Sequence, residues 1–465
     1  MKAAPDAHEE LRSRVGMFCF GAFLGLALLK FGNPPIMEKW VTPPADLYEF
    51  VLDNPWPIWW GYVLLGLVAF LAFLTGRRPV KAPLWLMILP AAWLAWQFIA
   101  GLGTINTELT RPVLAHFAAC VVCFYVGLFC SDGARSPAWL LPGLLCALLI
   151  VVAAGWQQHF GGLEQTRRYF FLYLYPKLKE VQPEYIKKLS SPRIFSTLFY
   201  PNALAGALIL VLPASLEFIW QWRERFTTAA RIFLVVSIGA GALGCLYWSG
   251  SKGGWLLMLV LCVLWLLRLP FSKKLKQGLI AALLIMGLAA FFWKYSGFFE
   301  KGATSVGARL DYWHAAFQST LAHPLTGTGP GTFAMTYQKL KRPESEMARL
   351  AHNDYLQQAS DSGLPGFCLY LGFIFVTIAF SFPAERARQP EPGLPWARPK
   401  VPVERPPRIA AASPLLDTNA ALWFALWLGT LGWALQSFVE FGLYLPALAW
   451  PAFAFLGCLL RHRFD

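Results

Sequence analysis

Several things are missing from this chain, and each absence narrows its class. Charged residues fill only 14% of its 465 positions. No segment stands apart as a soluble domain, no repeat of fixed period runs along the chain, and no heptads mark a coiled coil. The apolar residues come in unbroken blocks and do not alternate with polar ones, which excludes a transmembrane β-barrel. The formal charge is +14, from 40 Lys and Arg against 26 Asp and Glu, yet no basic domain stands alone to bind nucleic acid. Many of the cations sit instead in short segments beside apolar runs. No small-x-small cleavage site follows the first apolar run, so that run and its charged start (Lys2, Arg12, Arg14) read as an uncleaved anchor. The nine Cys lie almost all inside apolar segments, where they act as small hydrophobes. Cys120 and Cys123 form a C-x-x-C with His116 one turn earlier. The group is mid-span and lacks a fourth ligand, so packing is preferred to a metal site.

What the chain has is apolar length. Hydrophobic residues make up 57%, in blocks of roughly 17–25, the length that crosses a ~30 Å hydrocarbon core as helix. The expected fold class is an all-α, polytopic integral membrane protein with about twelve transmembrane helices. The runs are 15–31, 57–74, 83–100, 113–130, 138–156, 202–220, 230–248, 254–269, 277–295, 364–382, 420–439 and 443–460. Cations in the short connections set the orientation. Arg77, Arg78 and Lys81, then Arg223, Arg225 and Arg231, then Arg268, Lys273, Lys274 and Lys276, and finally Arg461 and Arg463, share a side with the N-terminus. That side is expected to be cytoplasmic, with both termini on it.

Two long connections fall on the opposite, periplasmic side, at 157–201 and 296–363. The expected organisation is five spans in 1–156, the first large periplasmic loop at 157–201 and four spans in 202–295. A second large periplasmic loop follows at 296–363, then one span at 364–383, a Pro- and Arg-rich cytoplasmic linker at 384–419, and two spans in 420–465. Both long loops are cationic: Arg167, Arg168, Lys177, Lys179, Lys187, Lys188 and Arg193 in the first, Lys301, Arg309, Lys339, Lys341, Arg342 and Arg349 in the second. Contact with anionic headgroups and a pocket for a phosphorylated ligand both account for that charge, and composition leaves the two open. Within 305–323, Leu310, Trp313, Phe317 and Leu321 share one helical face, which suits a helix lying flat on the membrane.

The residues with chemistry cluster in these loops. Arg309 offers a planar fork that matches phosphate oxygens. Gly327, Gly329 and Gly331 lack the Gly-Lys-Ser/Thr ending of a phosphate loop and the strand before a dinucleotide site, so they read as a structural turn with positive φ. His352 lies in a polar stretch just before an apolar span, and neutral imidazole is the usual base near pH 7. Asn353 and Asp354 are placed either to orient it or to bind sugar hydroxyls. Arg193 precedes Pro201 and Asn202 at the start of a span, where Asn is a good helix cap, and the pairing reads equally as an anion site or as capping with a snorkelling Arg. Lys252, in SGSKGGW, is flanked by Gly250, Gly253 and Gly254, which would let a headgroup approach the backbone; a cation at the mouth of a helix is either a phosphate ligand, the reading preferred here, or a simple interface anchor.

Four stretches, in this order, resemble the O-antigen ligase and Wzy-type polymerase superfamily. They are PRIFSTLFYPNALAGAL with Arg193 and Asn202, SGSKGGWL with Lys252, Arg309 and Trp313 followed by Pro324 and Gly327-x-Gly329-x-Gly331-x-Phe333, and His352-Asn353 followed after nine residues by Gly363-Leu364-Pro365-Gly366. The last spacing is the most specific and is typical of the ligase arm. One departure bears on ligase against polymerase: Trp313 stands where the ligase pattern often has Leu. The resemblance covers about Ser190 to Gly366. It implies a GT-C-like, inverting glycosyltransferase that needs no metal or other cofactor. Its donor would be an undecaprenyl-diphosphate-linked glycan and its acceptor lipid A-core, or another glycan in the polymerase alternative. The enzyme would sit in the bacterial inner membrane with its site on the periplasmic face. Arg193, Lys252 and Arg309 would hold the diphosphate and His352 would act as base, supported by Asn202, Asn353 and Asp354. The outer loops carry no DxD-type carboxylate pair for a divalent ion. A small-anion transporter and a non-catalytic scaffold are the rival classes. The first predicts ionisable residues lining a mid-bilayer path.

Overall fold

The computed structural model describes residues 7–52, 55–76, 79–131, 136–177, 190–300, 304–343, 345–383 and 418–464. The expected linker lies outside the described residues up to position 417, as do Lys2, Arg77, Arg78, Lys179, Lys187, Lys188 and Lys301. Among the described residues there is no strand and there are sixteen α-helices. In chain order the first seven are α1 (Ala7–Lys30), α2 (Leu47–Leu52), α3 (Ile58–Gly76), α4 (Leu84–Leu102), α5 (Thr107–Cys130), α6 (Ser136–Gln157) and α7 (Leu163–Tyr169). The middle of the chain gives α8 (Pro201–Trp220), α9 (Thr228–Ser249), α10 (Lys252–Arg268), α11 (Lys273–Glu300), α12 (Thr304–Ala322) and α13 (Phe333–Leu340). The last three are α14 (Asp354–Phe380), α15 (Thr418–Gln436) and α16 (Pro446–Phe464).

Every expected apolar run coincides with a helix. Eight helices, α1, α4, α5, α6, α8, α9, α11 and α14, are long and apolar enough to cross a membrane. Shorter apolar stretches lie in α3 (Ile58–Leu74) and α15 (Ala420–Gln436). By that measure the described residues supply eight spans against the twelve expected.

Burial sorts the helices. α8 and α16 are apolar all round and buried nearly throughout, so they form the centre of the bundle. α15 packs along α8, α5 along α16, and α1 along α6. α11 lies at the edge, with only Phe291 and Tyr295 buried.

The largest departure from expectation is α14, which starts at Asp354 and not near 364. Its first turns carry Gln357, Gln358, Ser360, Asp361 and Ser362, which read as loop, yet all five are buried. Their polar groups are used inside the protein. Gln358 Oε1 accepts from Trp93 Nε1 at 2.9 Å and from Gln97 Nε2 at 3.0 Å, fastening α14 to α4. At Gly363 (φ 72°, ψ −178°) the helix breaks, a conformation open to glycine. The freed carbonyls of Ser360 and Asp361 accept from the N–H groups of Thr328 (3.1 Å) and Gly329 (2.8 Å), and Asp361 Oδ2 accepts from Gly331 N at 2.8 Å. The glycine turn is thus a brace against α14, with its N–H groups turned into the protein. All three of its glycines have positive φ, as the sequence suggests.

α12 buries Tyr312, Ala315, Ala316, Ser319 and Thr320, while Leu310, Phe317 and Leu321 of the expected apolar face point away from the protein. His116 is not left for a ligand: its Nε2 lies 2.8 Å from the carbonyl oxygen of Leu443, with Cys120 Sγ at 3.7 Å.

Candidate functional site

Between α15 and α16 the chain makes a short turn, and Glu440 sits in it. The turn is pinned from several sides. Asp354 donates its backbone N–H to Ser437 O at 2.8 Å, and its Oδ2 accepts from Leu443 N at 2.8 Å. Tyr444 O–H lies 3.3 Å from Asp361 Oδ2, and Gln436 Nε2 donates to Asn202 O at 3.0 Å. Glu440 is 8% exposed, so its carboxylate must be satisfied by protein.

It is satisfied by three side chains. Arg309 Nη2 donates to Glu440 Oε1, while Arg309 Nε donates to Val439 O at 3.2 Å. Asn202 Nδ2 donates to the same Oε1 at 2.6 Å. His352 Nδ1 lies 3.1 Å from Oε2. Arg193 joins through Asn202, its Nη2 donating to Asn202 Oδ1 at 2.7 Å and its Nε to Ser249 O at 2.6 Å. Burial pushes the Glu440 carboxyl up. The His352 bond and the charges of His352, Arg309 and Arg193 outweigh that and hold it below the usual carboxylate range.

Lys252 opens α10 behind the Ser251 cap, just ahead of the apolar run. Its Nζ lies 3.8 Å from the centroid of the Phe298 ring and 5.0 Å from that of Tyr295. Burial, then the positive charges of Arg193 and Arg309, push it down to about 8. The glycines around it make room for protein and not for a headgroup. A Cβ on Gly250 would lie 3.2 Å from Arg193 Nε, and one on Gly254 would lie 2.6 Å from Ala205 Cβ.

His352 is the one site residue with a strained backbone, at φ 50° in the left-handed region. Its ring stands edge-on to Phe441 (4.8 Å) and is stacked on Tyr312 at 5.9 Å. With Nδ1 against Glu440, Nε2 is the ring nitrogen turned from that carboxylate.

The structure therefore brings Arg193, Lys252, Arg309, His352 and Asn202 to one end of the bundle, from α8, α10, α12 and the segments before α8 and α14. It separates the other two predicted residues from the imidazole. Asn353 is the N-cap of α14, its side chain accepting from Leu356 N at 3.0 Å. Asp354 is fully buried and holds the Leu443 turn. Neither bonds the His352 ring, and the residue that does is Glu440. The expected cap at Asn202 is also displaced: Tyr200 is the N-cap of α8, and the Asn202 side chain is given to Arg193 and Glu440. Glu440, in turn, was not singled out by any motif. The only signal was a lone carboxylate at the end of an apolar run in a chain whose loops carry unmatched cations.

Residues 232–371 match the family model described as O-antigen ligase. The match supports the superfamily of O-antigen ligases and Wzy-type polymerases, which are membrane glycosyltransferase-like enzymes. It takes in Lys252, Arg309 and His352 and leaves Arg193, Asn202 and Glu440 outside. No curated protein matches the chain.

Proposed function

We propose that this protein transfers a glycan from a polyprenyl diphosphate to an acceptor hydroxyl at the outer face of the membrane, as an O-antigen ligase acting on lipid A-core. The observation that carries the reading is the convergence of Arg309, Asn202 and His352 on the single carboxylate of Glu440, with Arg193 joined to it through Asn202.

That arrangement suits an inverting displacement. Glu440 accepts from Nδ1–H of His352 and so fixes the tautomer whose Nε2 is basic. Nε2 takes the proton of the acceptor hydroxyl as its oxygen attacks the anomeric carbon. The bond from that carbon to the diphosphate oxygen breaks, and the diphosphate leaves with the electron pair. Three cations set against one buried carboxylate leave two positive charges for the leaving group. Arg193 and Arg309 are placed before the reaction by bonds to protein oxygens, so little reorganisation is needed as charge develops. Cations doing this work take the role a divalent ion has in other glycosyl transfers.

The test is a reaction of purified protein with a defined polyprenyl-diphosphate glycan and lipid A-core in chelator. Transfer to lipid A-core with inversion is the expected result. Extension of the glycan on its carrier would assign the polymerase. Uptake of a small anion by proteoliposomes, with no transfer product, would move the protein to a different class.

A further inference from the structure

A second concave site lies beside the first and is not used by the chemistry above. α12 and the end of α13 enclose a groove of about 470 Å³, lined by Asp311, Trp313, His314, Leu340, Lys341 and Arg342 among others. Its volume falls in the ~300–1,000 Å³ range of small-ligand sites. Its walls are of two kinds. Trp313, half-buried, offers a flat apolar surface next to Leu340. Around that surface stand the polar groups of His314, Asp311, Lys341 and Arg342, with His314 and Arg342 exposed. Asp311 is already engaged, its Oδ2 accepting from Ser345 Oγ at 2.9 Å, and Lys341 Nζ donates to Ser345 O at 3.0 Å. Lys341 Nζ also lies 3.3 Å from the carbonyl oxygen of Arg342, so this rim is ordered, and Lys341 and Arg342 both line the groove.

A sugar ring has the matching character, with an apolar face and a polar edge. The two adjacent cations select an edge that bears an acid. The groove is also connected to the reacting groups. Trp313 Nε1 lies 3.4 Å from the carbonyl oxygen of His352. Trp313 is one helical turn from Arg309 on α12, so the groove shares that helix with one of the proposed diphosphate cations.

We infer that this groove, through Trp313, Lys341 and Arg342, binds the acceptor saccharide by a sugar carrying a phosphate or carboxylate. The inference rests on the transferase reading for the word acceptor, but the binding it requires can be measured without any transfer. The protein in lipid nanodiscs is titrated with a hexose 6-phosphate and with the neutral hexose, followed by saturation-transfer NMR of the sugar protons. The double variant Lys341→Gln/Arg342→Gln is carried alongside; both side chains lie on the rim, and its fold is checked by thermal unfolding. The expected result is that the phosphate binds the wild type, the neutral sugar binds about tenfold more weakly, and the double variant loses about tenfold for the phosphate alone. Equal binding of the phosphate to both proteins would show that it sits on Arg193, Lys252 and Arg309, and would overturn the inference. Equal binding of the two sugars would overturn the anionic class. Failure of transfer in the reconstituted reaction, with this binding pattern intact, would remove the transferase reading and leave a saccharide site.

Discussion

Glu440 Oε2 lies 3.1 Å from Nδ1 of His352, and its other oxygen holds Arg309 and Asn202. One carboxylate therefore orients the proposed base and one of the proposed diphosphate ligands together. Glu440→Gln keeps the shape and removes the charge. The expected outcome is a fall in kcat of about 10²–10⁴ in the reconstituted transfer, with the donor KM changed much less. An equal rise in KM with kcat intact would make Glu440 a binding residue only.

Arg309 reaches two acceptors from different nitrogens, Val439 O and Glu440. A lysine ammonium is a point charge on a flexible stem and cannot reproduce that fork. Arg309→Ala should abolish transfer while the protein still inserts, and Arg309→Lys should recover only a few per cent at most, roughly a hundredfold loss. Full activity in the alanine variant would take Arg309 out of the site.

Lys252 gives a pH dependence whose sign can be worked out. Its pKa falls from 10.5 to about 8 in the folded protein. Between those values the unfolded chain binds more protons, so the contribution of Lys252 to stability rises with pH across that window. Diphosphate binding runs the other way, because the ammonium is lost as pH rises through about 8. Donor KM should therefore climb above that pH, and Lys252→Arg should flatten the profile up to pH 10. A wild-type profile that is already flat would mean that Lys252 does not contact the donor.

His352 is held at φ 50°. Asn tolerates that region better than other non-glycine residues. His352→Asn should nevertheless unfold below the wild-type temperature, because Glu440 Oε2 loses its partner at a cost of about 1–3 kcal/mol and the ring contacts to Phe441 and Tyr312 go, which outweighs any relief of backbone strain. Transfer should be lost. Thermal unfolding and the transfer assay are run on one preparation, and a variant as stable as the wild type would show that the His352–Glu440 bond contributes little to the fold.

Asp354 offers a control two residues from the proposed base. Asp354→Ala leaves the Leu443 N–H buried without its acceptor, at a cost of about 1–3 kcal/mol. The Glu440 turn should loosen, and kcat should fall together with the unfolding temperature. A change in kcat with no change in unfolding would instead implicate Asp354 in the reaction.

Part of this site is legible in the sequence. Arg193, Arg309 and His352 stand in polar segments between long apolar runs, and Lys252 stands among small residues at the mouth of one. The helices were visible as apolar runs. The first three turns of α14 were not, because buried Gln and Asp side chains satisfied by Trp93, Tyr444 and the glycine turn look the same in sequence as solvated ones. Glu440 was hidden for the complementary reason. Its meaning lies in three partners drawn from positions 202, 309 and 352, and no local pattern records a contact over 88 residues or more.

The carboxylate under Arg309 has one more consequence. The Arg309 guanidinium carries its own internal counter-ion, so in the empty protein it need not recruit one from the medium. In the proposed reaction a lipid pyrophosphate would bind beside Glu440, held by the surplus of positive charge and repelled by the carboxylate. That would lower the net grip on donor and product alike and let a highly charged lipid leave after each turnover.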